Sequence, residues 1–121
     1  MIGWIRHLIA PGPQIGPAAA VARLNAGAVL VDVREPDEFV SGHVRGALHV
    51  PLGRIRAQGV AAIDALLPRD TTEVLLVCHS GMRSRLAQSV LTRDTRRAYL
   101  NVQGGMAAWT AGGLPLVHGK P

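Results

Sequence analysis

Val74-Leu75-Leu76-Val77-Cys78-His79-Ser80-Gly81-Met82-Arg83-Ser84 is the stretch of the 121-residue chain from which its fold is read. Residues 74–77 are apolar in unbroken succession, whereas a strand with one wet face would alternate apolar with polar. Unbroken runs mark strands covered on both faces, as in a parallel sheet between helical layers. Ala28-Val29-Leu30-Val31-Asp32-Val33 has the same character, and Ala98 to Val102 is a third candidate strand.

Helical patterns lie between these strands. From Pro17 to Ala26, proline suits the first turn, Ala18, Val21 and Leu24 share a face, and Gly27 can close the end. Leu52, Ile55, Val60, Ile63 and Leu67 predict a helix over 52–67, weakened by Gly53 and Gly59 and stopped by Pro68. After Cys78, residues Leu86, Ala87, Val90 and Leu91 form an apolar face. Arg83, Arg85, Arg93, Arg96 and Arg97 are expected to face solvent or a ligand. Strands alternating with helices predict an α/β fold, an open parallel sheet flanked by helices on both faces. Sites in such folds lie at the carboxyl ends of the strands, where Cys78 falls.

The length suits one domain, divided here into a lead-in over residues 1–14 and a folded unit over 15–119. In the lead-in, Ile2, Trp4, Ile5 and Leu8 are expected to pack onto the domain. Arg6, His7 and the Pro11-Gly12-Pro13 break speak against a signal peptide or a membrane span. The formal net charge is +5, carried almost wholly by arginine because Lys120 is the only lysine. Guanidinium forks suit anion recognition. Nucleic acid is disfavoured as the partner, because the arginines are scattered and 3% aromatic content leaves little surface for base stacking. A lone cysteine forms no internal disulfide and supplies too little for a structural zinc site, so the expected compartment is the reducing cytoplasm.

Cys78 to Ser84 is the loop that carries chemistry. A thiol between a buried strand end and a helix start meets curled backbone N–H groups and the positive end of the helix dipole. Both favour thiolate over thiol and make Cys78 a nucleophile. Gly81 permits the dihedrals of a tight cradle, and Arg83 adds a permanent charge. The cradle set is therefore His79, Ser80, Gly81, Met82, Arg83 and Ser84, with His79 as readily solvent-exposed as in contact with a substrate. Asp32 and Arg34, at a neighbouring strand end, are expected to orient the loop. Pro36, Asp37 and Glu38 are read as the first turn of a helix, with the carboxylates complementing its positive end. His43 and His49 stand alone among Gly, Ala and Val and are read as structural. Gly104-Gly105 is read as a turn before a helix, because it lacks the lysine and Ser/Thr of a phosphate loop.

Taken together and in order, these pieces resemble the rhodanese family. Cys78-His79-Ser80-Gly81-Met82-Arg83-Ser84 is similar to its Cys-x-x-Gly-x-Arg-Ser loop, and Asp32-Val33-Arg34-Glu35 to its Asp-Val-Arg strand end. Gly42-His43-Val44-Arg45-Gly46-Ala47 with Pro51 resembles its Gly-His-Ile-x-Gly-Ala segment. Gly104-Gly105-Met106-Ala107-Ala108-Trp109 and Gly113-Leu114-Pro115 resemble its closing helix and tail. The resemblance, from about Ile15 to Val117, implies a sulfurtransferase working by double displacement. Cys78 would take sulfane sulfur as a persulfide from a small anionic donor such as thiosulfate. It would then yield that sulfur to cyanide or to a thiol, which could be a thiol-bearing protein. Such chemistry needs no metal or organic cofactor. Phosphatases and arsenate reductases on the same scaffold place one more residue between cysteine and arginine than the four found here, so the loop length disfavours them. A sulfur carrier serving a partner protein with little free turnover is the other reading.

Overall fold

The structure is a computed structural model that describes residues 12–120; Ile2, Trp4, Ile5 and Leu8, expected to pack onto the domain, lie outside the described residues. Five strands form one sheet: β1 (Gln14–Ile15), β2 (Val29–Asp32), β3 (Leu48–His49), β4 (Glu73–Val77) and β5 (Ala98–Val102). Their order is β1-β5-β4-β2-β3 and every pairing is parallel, as the unbroken apolar runs predict. Strand β4 lies in the middle, with Leu76 in register with Val31 on one side and Asn101 on the other.

Helices α1 (Pro17–Asn25), α2 (Pro36–Ser41), α3 (Leu52–Gln58), α4 (Ala61–Asp64), α5 (Met82–Leu91) and α6 (Gly105–Ala111) complete the fold. Side chains alternate across β4, and the two sets enter different cores. Val74, Leu76 and Cys78 pack with Ile55, Ile63, Ala87 and Leu91 from α3, α4 and α5. Leu75 and Val77 pack with Ala20, Met106 and Trp109 from α1 and α6 on the opposite face. Helices thus cover both faces, and residues 74–77 of β4 must all be apolar.

The helix predicted over 52–67 is instead two short ones. Gly59, at φ 61°, takes a left-handed turn that other residues avoid, and its N–H closes onto the Ile55 carbonyl at 2.7 Å. Ile55, Ile63 and Leu67 are buried in one core all the same. A second correction concerns α5, which ends at Leu91, so Arg93, Arg96 and Arg97 lie beyond it. The Arg97 side chain is 8% exposed rather than turned to solvent, and it pairs with Asp64 at 2.9 Å and Asp94 at 3.4 Å.

The sheet also takes in residues assigned by sequence to the lead-in. Gln14 pairs with Asn101 in β1, and the Pro13 carbonyl accepts the Asn101 N–H at 3.0 Å. At the other end Val117 and His43 exchange backbone bonds of 2.8 Å, which lays the tail over the segment after α2. No helix among the described residues is long and apolar enough to cross a membrane.

Candidate active site

Strand β4 ends at Val77 and α5 begins at Met82, so Cys78 to Gly81 must reverse the chain within four residues. Gly81 makes this possible with φ 108°, a value that strains any side-chain-bearing residue. The turn aims the Gly81 N–H at Cys78 Sγ, 3.0 Å away, and the Ser84 hydroxyl stands 3.4 Å from the same sulfur. Cys78 is 1% exposed. Burial pushes its thiol pKa up, but the Ser84 hydroxyl and the N–H groups of Ser84, Gly81 and Ser80 outweigh burial and leave it below the ordinary value. The ring of donors therefore favours the thiolate over the thiol at this sulfur.

The loop is held from behind by α6. Met106 donates its N–H to the Cys78 carbonyl at 2.8 Å and Ala107 donates to the His79 carbonyl at 3.0 Å. Two free N–H groups of a helix start thereby satisfy two loop carbonyls. Gly105, at φ 59°, lies so close that a Cβ there would collide with those carbonyls. The Gly104-Gly105 turn read from the sequence is thus also the contact that lets α6 approach the loop.

His79 and Ser80 point outward and Met82 is 64% exposed, so these three form the rim. Ser84 is fully buried on the first turn of α5. Arg83 turns its fork onto Glu38, with Nη1 to Oε1 at 2.6 Å and Nη2 to Oε2 at 2.9 Å. The Glu35 N–H donates to the same carboxylate at 3.0 Å. Glu38 is held at a pKa of about 2, chiefly by Arg83, so the pair stays charged at any working pH.

Asp32 and Arg34 are buried and bond chiefly to one another, with Arg34 Nη2 at 2.8 Å from Asp32 Oδ2 and 2.7 Å from the Gly42 carbonyl. These bonds brace the start of α2 and the turn after it. The tie to the cysteine strand is a backbone one, from the Val33 N–H to the Val77 carbonyl at 3.0 Å. Arg34 shares with His79 a cavity of about 340 Å³, walled also by Ser41, Gly42, Met106 and Ala107. His43 and His49 bond to the carbonyls of Phe39 and Arg34 and stack on Phe39.

Sequence reasoning missed Asn101 and gave Glu38 only a helix-capping part. Asn101 is buried in β5, its carbonyl oxygen against the Ser84 hydroxyl and its amide 3.4 Å from the Gly81 carbonyl. A polar residue inside the otherwise largely apolar run Ala98–Val102 was the available signal. Glu38 lies 45 positions from Arg83, and no local pattern joins them.

Residues 16–112 match the Rhodanese-like domain family. A protein named sulfurtransferase from Allochromatium vinosum is 35% identical, covering 74% of this chain and 78% of its own length. The thiosulfate sulfurtransferase GlpE of Stutzerimonas stutzeri is 31% identical over 79% of this chain and 83% of its own. YrkF of Bacillus subtilis, named as a candidate sulfur carrier, is 33% identical over 67% of this chain. This chain spans only 40% of YrkF and 48% of an uncharacterized Synechocystis relative. A rhodanese-related protein from Thermoplasma volcanium superposes with a TM-score of 0.73 at 26% identity, covering 88% of this chain and 98% of that one. The family match takes in all six helices and four of the five strands among the described residues, with the cysteine loop, and the chain belongs to the rhodanese-like domain family.

Proposed function

We propose that Cys78 receives a sulfane sulfur from a donor such as thiosulfate, holds it as a persulfide, and passes it to cyanide or a thiol. In the first step the Cys78 thiolate bonds to the outer sulfur of thiosulfate, the S–S bond breaks, and sulfite departs with the electron pair. In the second, cyanide or a thiolate bonds to the outer persulfide sulfur, and the Cys78 thiolate is regenerated. No outside oxidant or reductant is needed. The observation that carries this reading is the donor ring around Sγ, with Gly81 N–H at 3.0 Å and Ser84 Oγ at 3.4 Å. The same groups would hold a persulfide anion in place.

The sulfurtransferases among its relatives support the reading. The YrkF likeness and the exposed rim residue Met82 favour, as a second reading, relay of the persulfide to a partner protein's thiol. A reducing compartment such as the cytoplasm would keep the lone thiol available for either role.

Intact mass after incubation with thiosulfate tests the proposal. One added sulfur is expected, labile to cyanide and to dithiothreitol, and absent in Cys78→Ser. An adduct that persists in Cys78→Ser, or hydrolysis of an aryl phosphate faster than consumption of thiosulfate, overturns it. Sulfur loading with slow release to cyanide but rapid release to a protein thiol selects the relay reading.

A further inference from the structure

Resting on the persulfide reading above, we propose that Glu38 is a specificity-determining residue that sets the donor class. By occupying the fork of Arg83 it turns the site away from free dianionic donors and toward a persulfide borne on a thiol. Arg83 is the one arginine of the loop, and an incoming oxyanion would need its fork. That fork already meets both oxygens of Glu38, at 2.6 and 2.9 Å, in the bidentate arrangement that carboxylates share with oxyanions. The carboxylate is fixed in turn by the Glu35 N–H at 3.0 Å, so this is not a loose surface pair. Each partner is 33% exposed, which leaves the pair within reach of a ligand at the rim.

The surrounding charges point the same way. Arg34 is locked to Asp32 below the surface, and the Glu35 carboxylate adds a smaller, through-space pull on Arg83 to the direct grip of Glu38. Two cations thus face three carboxylates beside the cradle, although the whole chain is net positive.

The two donor classes make different demands on this charge. Attack of a thiolate on thiosulfate gathers three negative charges and releases sulfite as a dianion. Attack on a protonated thiol persulfide gathers one: Cys78 bonds to the outer sulfur, which keeps its proton, and the donor leaves as a thiolate with the electron pair. The second reaction has little use for a free guanidinium. Met82, 64% exposed at the rim, offers an apolar contact for the carbon body of such a donor.

Loading rates measured by mass spectrometry with thiosulfate and with cysteine persulfide test the assignment. In Glu38→Gln the KM for thiosulfate should fall about tenfold, the factor from one charge-assisted contact of about 1.4 kcal/mol, while kcat changes little. Loading from cysteine persulfide should change less than about twofold on the same basis, because its reacting pair carries a single charge. The double variant Glu38→Gln/Arg83→Gln should lose the gain, because the gain acts through Arg83. Glu38→Asp, with less reach for a two-oxygen grip, should move the donor ratio in the same direction by less and serves if Glu38→Gln does not fold. An unchanged donor ratio in the single variants, or a gain that survives the double one, overturns the inference while leaving the persulfide reading intact. Absence of added sulfur from both donors in the native protein overturns both.

Discussion

The Ser84 hydroxyl has one proton and three acceptors in reach: Cys78 Sγ at 3.4 Å, the Gly81 carbonyl at 3.1 Å, and the side-chain oxygen of Asn101. Which acceptor receives it depends on the charge at sulfur. A thiolate draws the proton, since hydrogen bonds to charged groups are the stronger ones. Asn101 can then serve the hydroxyl with its amide if the side chain turns over, exchanging its two ends. Ser84→Ala removes the first of the groups that hold the Cys78 pKa down against burial. Because a lowered pKa keeps the thiolate at lower pH, the variant should show its alkylation midpoint moved upward. At neutral pH, iodoacetamide should react about tenfold more slowly, from about 1.4 kcal/mol for one hydrogen bond to a charged atom. An unmoved midpoint would leave the backbone N–H groups as the whole cradle.

Among the elements, α5 and α6 meet the cysteine loop from two sides and do different work. Helix α5 begins at Met82 and supplies Ser84, while α6 satisfies the carbonyls of Cys78 and His79. The contact with α6 requires Gly105, where a Cβ would meet both carbonyls. In Gly105→Ala either α6 retreats or the loop is pushed forward, and the φ of 59° adds strain. The variant should lose about 2–4 kcal/mol in urea unfolding, as expected for a backbone collision combined with an unfavourable dihedral. It should also lose sulfur loading, because Cys78 moves relative to Ser84. Ala108→Gly, on the same helix, removes a side chain instead of adding one, and is the control that should load normally. Equal loss of loading in both variants would make α6 a general support rather than a brace for the loop.

Across the whole molecule, the parallel sheet was legible because β4 is covered on both faces and must be apolar at every residue from Val74 to Val77. The cysteine loop was legible because its glycine, arginine and serine lie within a few residues of the sulfur. Strands β1 and β3, two residues each, carry too little sequence for any period and exist only by pairing with β5 and β2. The Glu38–Arg83 and Ser84–Asn101 contacts were invisible for the same reason, since each joins distant segments that only the assembled fold brings together. The division into two cores leads to a further expectation. Leu75 and Leu76 are equally buried neighbours on β4, but Leu76 shares its core with Cys78 and Leu75 packs against α1 and α6 on the other face. Leu75→Ala and Leu76→Ala should each cost about 2–5 kcal/mol, since both leave a cavity in a closed core. Their effects on the site should differ. The cavity from Leu76→Ala opens beneath the strand end that carries the sulfur and lets Cys78 settle away from the Gly81 N–H, so alkylation and sulfur loading should both slow. Leu75→Ala, measured well below its melting temperature, should load sulfur at close to the native rate. If the two variants lost loading in proportion to stability alone, the two cores would act as one unit, and the position of Cys78 would depend on the whole sheet rather than on the face it occupies.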